Sequence, residues 1–324
     1  MVRGLVGLGG LVALALTVGC ASTVPEASPD PILNPMGLPE VAPEDAESLI
    51  PPVIEAERQA VEGRPFAFPE AFAPGGWERM VVGVNPYRVT TASKEATPAQ
   101  LRLLDDTIRG ELARLKRFEL REYSGDDPGP CTHTAAWETS LSVRPAAKGA
   151  LALVCAVEFR LTNARTRLVA EEASFSVQTV ADDPKDLTAA LRRAGALVAV
   201  RLAQTLAATA PCGGKILACE DAEAMTMEGG SLQGVYEGQQ MLVYALVDGV
   251  PLPLAYADAK PGTTRTNLTL WKFNDAEPLA KAVLDALRDD AGNHEKYGLA
   301  AVAVGDPLPP IWRYKAKALQ GGAL

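Results

Sequence analysis

Apolar side chains recur at helical spacing in two stretches of the chain. The first follows Thr97-Pro98, an N-cap residue with a proline at the first helical position, and the second follows Asp183-Pro184. Spacings of three and four residues bring side chains onto one face of a helix. The pattern therefore predicts two amphipathic helices, with these apolar stripes: Leu101, Leu104, Ile108, Leu112 and Leu115; then Leu187, Leu191, Ala194, Val198 and Leu202.

Alternation of apolar and polar residues predicts strands around these helices. The candidates are residues 80–84, 118–122, 141–143, 151–161 and 169–177. The last two are separated by the polar turn Asn163-Ala164-Arg165, which is typical of a β-hairpin. Together with the helices they predict an α+β sandwich domain of the order β-α-β-β-β-α over residues 77–209.

Beyond Thr209 the chain changes to short strands separated by glycines. Candidate strands lie at residues 216–219, 224–227, 240–247, 252–256, 268–273 and 299–304, with a short helix at residues 278–289. Evenly spaced short strands with tight turns are typical of small barrels. We expect a small β-barrel-like domain over residues 210–308, followed by a C-terminal tail at residues 309–324.

Residues 20–76 are rich in proline and acidic residues. Proline fixes φ and removes a backbone donor, so this composition predicts an extended tether. A short helix is expected at residues 53–61. Three aromatic side chains, Phe66, Phe68 and Phe72, are expected to lie against the first domain.

The first 19 residues have the organisation of a signal peptide. Arg3 precedes an apolar stretch over residues 5–18, and the small residue Gly19 follows it. The stretch is shorter than the roughly 20 apolar residues that a spanning helix needs. It therefore predicts a cleaved signal.

Leu16-Thr17-Val18-Gly19-Cys20 resembles the lipobox of bacterial lipoproteins. The resemblance implies a diacylglycerol on Cys20 and cleavage before it, although Thr17 stands where that family prefers leucine. An ordinary secretory signal that ends near a cysteine is the alternative. Ala21 stands where aspartate tends to retain proteobacterial lipoproteins in the inner membrane, so the resemblance implies the periplasmic face of the outer membrane, with the inner membrane as the less favoured location.

The composition limits the kinds of molecule that this protein is expected to bind. The formal net charge is −9 and the isoelectric point is about 5.0. Nucleic-acid binding requires clustered lysine and arginine, and no such cluster stands out, so we expect no nucleic acid. A hydrophobic content of 48% supports a real core. After residue 20 no apolar run approaches membrane-spanning length, so membrane attachment is expected through the lipid on Cys20.

Four cysteines other than Cys20 would lie in an oxidising compartment, where disulfides are the default. Cys212 and Cys219 bracket a short segment and are the first expected pair; Cys131 and Cys155 then pair by elimination. The alternative is a metal site. Only two histidines are present, however, and Cys-x-x-Cys is absent, so we expect no metal.

Catalytic motifs are absent, so no enzyme and no cofactor are expected. His133 and His294 both stand in polar surroundings and are expected to be solvated loop residues. Gly-x-Ser-x-Gly and the phosphate-binding loop do not occur. The four tryptophans are expected to serve as buried anchors or at domain seams, and the alternative is a sugar-binding groove; they are Trp77, Trp137, Trp271 and Trp312.

Residues 77–208 resemble a family shared by the curli secretion channel subunit, lipoprotein activators of penicillin-binding proteins, the TolB amino-terminal domain and the middle domain of the flagellar T-ring protein. The features that carry the resemblance are Met80–Val84, the long helix that ends in the segment 115–122, the strand at residues 168–171 and the alanine-rich helix at the end of the domain. The resemblance implies an anticodon-binding-like or TolB-N-like fold.

Residues 230–239, 241–244 and 304–308 are similar to the carboxy-terminal domain of the flagellar T-ring protein. Glycines in residues 230–239 are expected to form tight turns with positive φ. The two resemblances imply a non-catalytic scaffold or assembly factor of the bacterial envelope that binds envelope proteins or copies of itself, with a ring as one arrangement. A binding module for cell-wall glycan or a small ligand is the alternative.

Replacement of the lipid-bearing cysteine tests the anchor. In cells fed radioactive fatty acid, the full chain should incorporate label, and Cys20→Ala should abolish incorporation because the thioether has no acceptor. Cys219→Ala serves as the matched control and should label as the wild type does. Unchanged labelling of the Cys20→Ala variant would contradict the lipoprotein prediction.

Overall fold

The computed structural model describes residues 43–75, 80–84, 88–91, 96–122, 129–181, 183, 185–221, 223–310 and 312–313. The signal peptide, Cys20 and Trp77 lie outside the described residues, as does most of the predicted tail. The architecture is mixed α+β, with a six-stranded sheet followed by a closed six-stranded barrel. This confirms the predicted α+β class and the second, barrel-like unit.

The helices are α1 (Pro43–Glu62), α2 (Pro98–Ala113), α3 (Thr188–Thr209), α4 (Pro278–Asp289) and α5 (Asn293–Lys296). The strands of the sheet are β1 (Met80–Val84), β2 (Arg88–Thr91), β3 (Phe118–Glu122), β4 (His133–Pro145), β5 (Leu151–Asn163) and β6 (Val169–Ala181). The strands of the barrel are β7 (Gly213–Cys219), β8 (Ala224–Glu228), β9 (Gln240–Val247), β10 (Val250–Pro261), β11 (Arg265–Phe273) and β12 (Ala300–Ala303).

The sheet has the order β3-β1-β4-β5-β6, and β2 also pairs with β4. β1 and β2 lie parallel to β4, β1 beside its start and β2 beside its middle. The predicted β5–β6 hairpin is confirmed, and both strands are 13 residues long. β4 is far longer than the predicted 141–143, because its polar alternate residues form a solvent-facing row and do not interrupt the strand. The predicted strand count did not include β2.

Helices α2 and α3 pack against each other on one face of this sheet. Thr97 caps α2 as predicted, and it forms a reciprocal capping box with Gln100. The predicted cap of α3 at Asp183-Pro184 is wrong, because α3 begins at Thr188 with no side-chain cap on its N-cap residue, Leu187. The Asp183 carboxylate accepts instead from the Lys185 N–H, within the preceding turn.

The barrel closes in the order β10-β11-β8-β7-β12-β9, so every strand has two neighbours. Helix α4 buries Ala280, Val283, Leu284 and Leu287 against the barrel core. Gly234 and Gly238 have φ of 88° and 73°, which confirms the predicted turns with positive φ at these two positions.

The proline-rich segment is folded where the structure describes it. Helix α1 continues through Pro51 and Pro52, so it is much longer than the predicted 53–61. Phe66 stacks on Tyr256 with ring centroids 4.7 Å apart, and Phe68 packs edge-on to Tyr244 at 5.4 Å. Both partners are barrel residues. The prediction that Phe66, Phe68 and Phe72 lie against the first domain is therefore wrong, because the barrel presents tyrosines that match these rings.

The end of the described chain crosses back to the α/β domain. Leu308 is buried in the core of that domain, and Trp312 packs against the same core. Gly234 in the barrel approaches Arg117, where an added Cβ would lie 2.6 Å from the Arg117 Cα. Segments from both sides of the boundary therefore fasten the α/β domain to the barrel.

A buried carboxylate joins α1 to the C-terminal segment. Glu57 accepts from the Asp306 N–H at 2.7 Å through Oε1 and from the Arg313 guanidinium at 2.8 Å through Oε2. The Tyr236 hydroxyl donates to the Asp306 carbonyl at 2.6 Å and lies 3.4 Å from Glu57 Oε1. Burial and the Glu57 charge raise the pKa of Tyr236, which therefore stays protonated. We call these four residues the Glu57 node.

Loss of the Glu57 carboxylate should destabilise the whole assembly. Glu57→Ala leaves the Arg313 guanidinium with its main acceptor removed, and breaking such a buried pair costs about 3 kcal/mol. Urea unfolding of the solubilised full chain, followed by tryptophan fluorescence, measures the free energy of unfolding.

Glu62→Ala is the matched control on the same helix, because the Glu62 side chain is exposed. It should change the free energy of unfolding by less than about 0.5 kcal/mol. Equal effects of the two substitutions would contradict the structural importance of the Glu57 node.

Candidate functional site

The sheet has one covered face and one face open to solvent. Alternate residues of β4, β5 and β6 point away from the helices and are exposed. We call them the open face: Ala136, Glu138, Ser140, Ala156, Glu158, Arg160, Glu172, Ser174 and Ser176. Small side chains dominate it, so a partner could approach the backbone closely. A shallow groove of about 620 Å³ crosses this surface.

The charges of the open face are arranged by strand register. Arg160 stands opposite Glu172, and the two form an ion pair. Glu138 stands directly opposite Glu158 on the neighbouring strand. Like charges at directly opposed positions destabilise a sheet. The open face carries three carboxylates, and Arg88 on β2 stands opposite Glu138 in the β2–β4 register.

A second feature is a cavity of about 520 Å³ between the α/β domain and the barrel. Arg117, from the turn before β3, and Cys212 and Gln239, from the barrel, supply its buried polar groups. Its walls are mostly small apolar residues, and two carboxylates also line it. We call this the interdomain cavity; its apolar walls include Pro69, Ala71, Ala207, Ala208, Pro211, Val304 and Pro307, and its carboxylates are Glu70 and Glu171.

Arg117 is 8% exposed, so its charge is largely removed from water. Its Nη1 lies 3.4 Å from the Gln233 carbonyl, which is a long hydrogen bond. Its Nη2 is buried and has no hydrogen-bond partner among the residues that the structure describes. Burial lowers the pKa of the guanidinium, yet arginine remains charged at neutral pH.

Cys212 and Gln239 lie beside each other in this cavity. The Cys212 thiol donates to the Gln239 Oε1 at 3.3 Å, and the Tyr236 N–H lies 3.4 Å from the same oxygen. The Gln239 oxygen is therefore occupied, which leaves the Nε2 group as the donor available to a ligand. Sequence reasoning missed this site because its residues lie far apart in the chain and carry no motif.

The predicted disulfide between Cys131 and Cys155 is contradicted, because both thiols are free. In the β4–β5 register, Cys155 stands opposite Leu141, whereas Cys131 precedes the start of β4 at His133. The strand between His133 and Leu141 spans roughly 27 Å. A disulfide requires Cα atoms within about 7 Å, so the two residues cannot be bridged in this fold.

The predicted pair Cys212–Cys219 is also contradicted, and both thiols are free. The intervening residues form strand β7, not a loop. Extended chain separates the two cysteines by roughly 20 Å. Burial raises the pKa of Cys219 to about 11 and that of Cys155 to about 12, so these two thiols are protonated and poorly nucleophilic at neutral pH.

The histidines occupy ordinary structural positions. His133 begins β4 and is half-buried; burial lowers its pKa, so the ring is neutral at pH 7. His294 lies in the short helix α5, with Nδ1 2.9 Å from the Ala291 carbonyl. The predicted loop position is wrong for both. Within the described ranges, no group of three His, Cys, Asp or Glu residues could hold a metal ion.

The described tryptophans pack within the fold. Trp137 is 4% exposed and belongs to the core of the α/β domain. Trp271 stacks near Tyr256 and lies beneath Arg58 of α1, with the guanidinium carbon 4.7 Å from the ring centroid. Trp312 is half-buried and packs against the core of the α/β domain. The predicted buried-anchor role is confirmed for Trp137.

None of the helices in the described ranges is long and apolar enough to cross a membrane.

No protein-family model and no curated protein matches the chain. Solved structures with partial similarity include hypothetical protein CT253 from Chlamydia trachomatis, at 9% identity, with 38% of this chain and 95% of that chain covered and a TM-score of 0.31. Lipoprotein GNA1162 from Neisseria meningitidis has 9% identity, 39% and 96% coverage, and a TM-score of 0.28. The PelC dodecamer from Paraburkholderia phytofirmans has 15% identity, 39% and 89% coverage, and a TM-score of 0.25.

Several of these similar structures are bacterial lipoproteins, among them GNA1162 and a minor lipoprotein from Acinetobacter baumannii. The matched portion is less than half of this chain in each case. At such identities and TM-scores the likeness is a partial similarity of fold and carries no functional argument.

Alkylation without a reductant tests the free cysteines. In denaturant, peptide mass spectrometry should find Cys131, Cys155, Cys212 and Cys219 all alkylated, because no disulfide protects them. Under native conditions Cys155 should react far more slowly than Cys131, since it is fully buried and its pKa is raised to about 12. Recovery of any two of these cysteines as a linked peptide from the native protein would contradict the structure.

Proposed function

We propose that this chain is a lipid-anchored protein of the bacterial envelope that acts as a non-catalytic scaffold. In this proposal the lipid on Cys20 holds the chain at the periplasmic face of the outer membrane. The folded unit binds a protein partner through the open face. The observation that carries the proposal is an exposed sheet surface on which the Glu158 carboxylate has no cation opposite it in the strand register.

The charge pattern of the open face favours a basic partner. Glu158 stands between Glu138 and Ser174 in the strand register, so neither neighbouring strand places a cation opposite it. A lysine or arginine of a partner would form an ion pair with Glu158. Complementary charge also accelerates and selects encounters between proteins. We therefore propose a basic segment of an envelope protein as the occupant.

The folding of residues 43–75 also supports a role as an anchored scaffold. α1 and the phenylalanines after it pack on the barrel, so the length of chain between Cys20 and the folded unit is shorter than the predicted tether. An anchored scaffold of this kind would hold its binding surface at a restricted distance from the membrane. We also propose that the α/β domain has an anticodon-binding-like fold and that copies of the chain assemble into a ring.

Charge reversal on the open face provides the test. Full-length protein solubilised from envelopes in mild detergent, with and without prior crosslinking, should capture a partner whose contact peptides are basic. The double variant Glu138→Lys, Glu158→Lys should reduce capture by about tenfold or more, since close charge pairs at interfaces contribute roughly 1.5 kcal/mol or more.

A matched double variant on the barrel, Glu220→Lys with Glu228→Lys, makes the same change in net charge at exposed positions. It should retain wild-type capture. Equal loss in both variants would indicate a general effect of charge and contradict the proposed surface. Crosslinking of the open face only to a second copy, or sedimentation with peptidoglycan without any protein partner, would overturn the basic-partner proposal.

A further inference from the structure

We propose that the interdomain cavity binds a small organic monocarboxylate with a short apolar group. Arg117 would pair with the carboxylate, and the apolar walls would receive the remainder of the ligand. This site is separate from the open face and does not depend on the proposed partner.

Arg117 supplies the first argument. A guanidinium removed from water is costly unless an anion or several acceptors compensate it. Its only described hydrogen bond is the long contact to Gln233, and its Nη2 is buried without a partner among the described residues. The planar fork of arginine matches a carboxylate through two parallel hydrogen bonds. The buried donor without a partner therefore points to a bound anion.

The surroundings of Arg117 keep it in this position. Gly234 packs directly on its backbone and side chain, and an added Cβ there would lie within 3.0 Å of three Arg117 atoms. The φ of 88° at Gly234 further restricts the position to glycine. The barrel thus presents a glycine against a residue that lines the cavity.

The other polar groups are also suited to an anion. The oxygen of the Gln239 amide already accepts from Cys212 and lies near the Tyr236 N–H, so the amide offers its Nε2 donor to a ligand. The Cys212 side chain lines the cavity beside it. Arg117 and Gln239 both line the cavity, so it offers a carboxylate a guanidinium and an amide donor.

The size and composition of the cavity walls indicate what the part of the ligand beyond the carboxylate should be. A volume of about 520 Å³ lies within the range of roughly 300–1,000 Å³ that small-molecule sites occupy. Alanine, proline and valine side chains form much of the lining, so an apolar group would replace water there favourably. Glu70 and Glu171 also line the cavity, and their repulsion of an anion increases with its charge, so a singly charged carboxylate is favoured over phosphate.

Isothermal titration of the detergent-solubilised full chain tests the proposal with acetate, butyrate and hexanoate as probes. Butyrate or hexanoate should bind more tightly than acetate, because the longer chain buries more apolar surface. Butyramide has nearly the same shape without the charge and should bind at least about tenfold more weakly, since charged hydrogen bonds contribute roughly 1.5–3 kcal/mol. Inorganic phosphate should bind more weakly than butyrate.

Alkylation of Cys212 supplies a second readout at the same cavity. Saturating butyrate or hexanoate should slow the reaction of Cys212 with iodoacetamide in the wild type, as peptide mass spectrometry would show, and butyramide should not. Arg117→Met should bind the carboxylates about tenfold or more weakly and lose this protection. Arg201→Met removes an exposed arginine from α3 and should behave as the wild type.

Two further arms separate the sources of the carboxylate and guard against misfolding. A tripeptide ending in alanine, compared with its C-terminal amide, shows whether a peptide terminus occupies the site better than a free acid.

Arg117→Lys keeps the positive charge but loses the planar, two-pronged donor group of arginine, and it should bind the carboxylates with intermediate affinity. The absence of carboxylate binding to wild-type protein, equal protection by butyramide, or tighter binding of phosphate would overturn the proposal.

Discussion

The Glu57 node is the constraint on which the arrangement of the parts depends. Its carboxylate, on the helix that precedes both domains, accepts from the Asp306 N–H and from Arg313, which follow the last barrel strand. A buried carboxylate is tolerated only when its oxygens are paired, so α1 and the C-terminal segment must dock together. Gly305 permits this approach, since an added Cβ would lie 1.8 Å from Glu57 Oε1. The same segment then carries Leu308 into the α/β core.

This docking creates both candidate surfaces. Because the C-terminal segment and Gly234 hold the barrel against the α/β domain near Arg117, a cavity forms between the two domains with the buried residue Arg117 in its lining. The opposite side of the sheet is left open, since α2 and α3 already cover its other face. The open face is thus available to a macromolecular partner, whereas the interdomain cavity is lined by both domains and has the size of a small-molecule site.

Some structural features follow from the sequence because the interactions that form them join residues close together in the chain. The Thr97 cap depends on residues within one turn, and the β5–β6 hairpin depends on alternation around a polar turn, so both followed from the sequence. The cysteine pairings failed for the converse reason. Cys212 and Cys219 are close in sequence, but an extended strand separates them, and sequence distance does not reveal whether a segment is strand or loop.

By itself, the sequence determined the α+β class, the succession of a helix-covered sheet and a small barrel, and the glycine turns at Gly234 and Gly238. These depend on periodicity and on backbone sterics, which act between near neighbours. Only the tertiary structure decided that the phenylalanines after α1 pack on the barrel, that the four cysteines stay free and that Arg117 meets Cys212 and Gln239. Those outcomes depend on which distant surfaces are complementary, and that information resides in no single stretch of the chain.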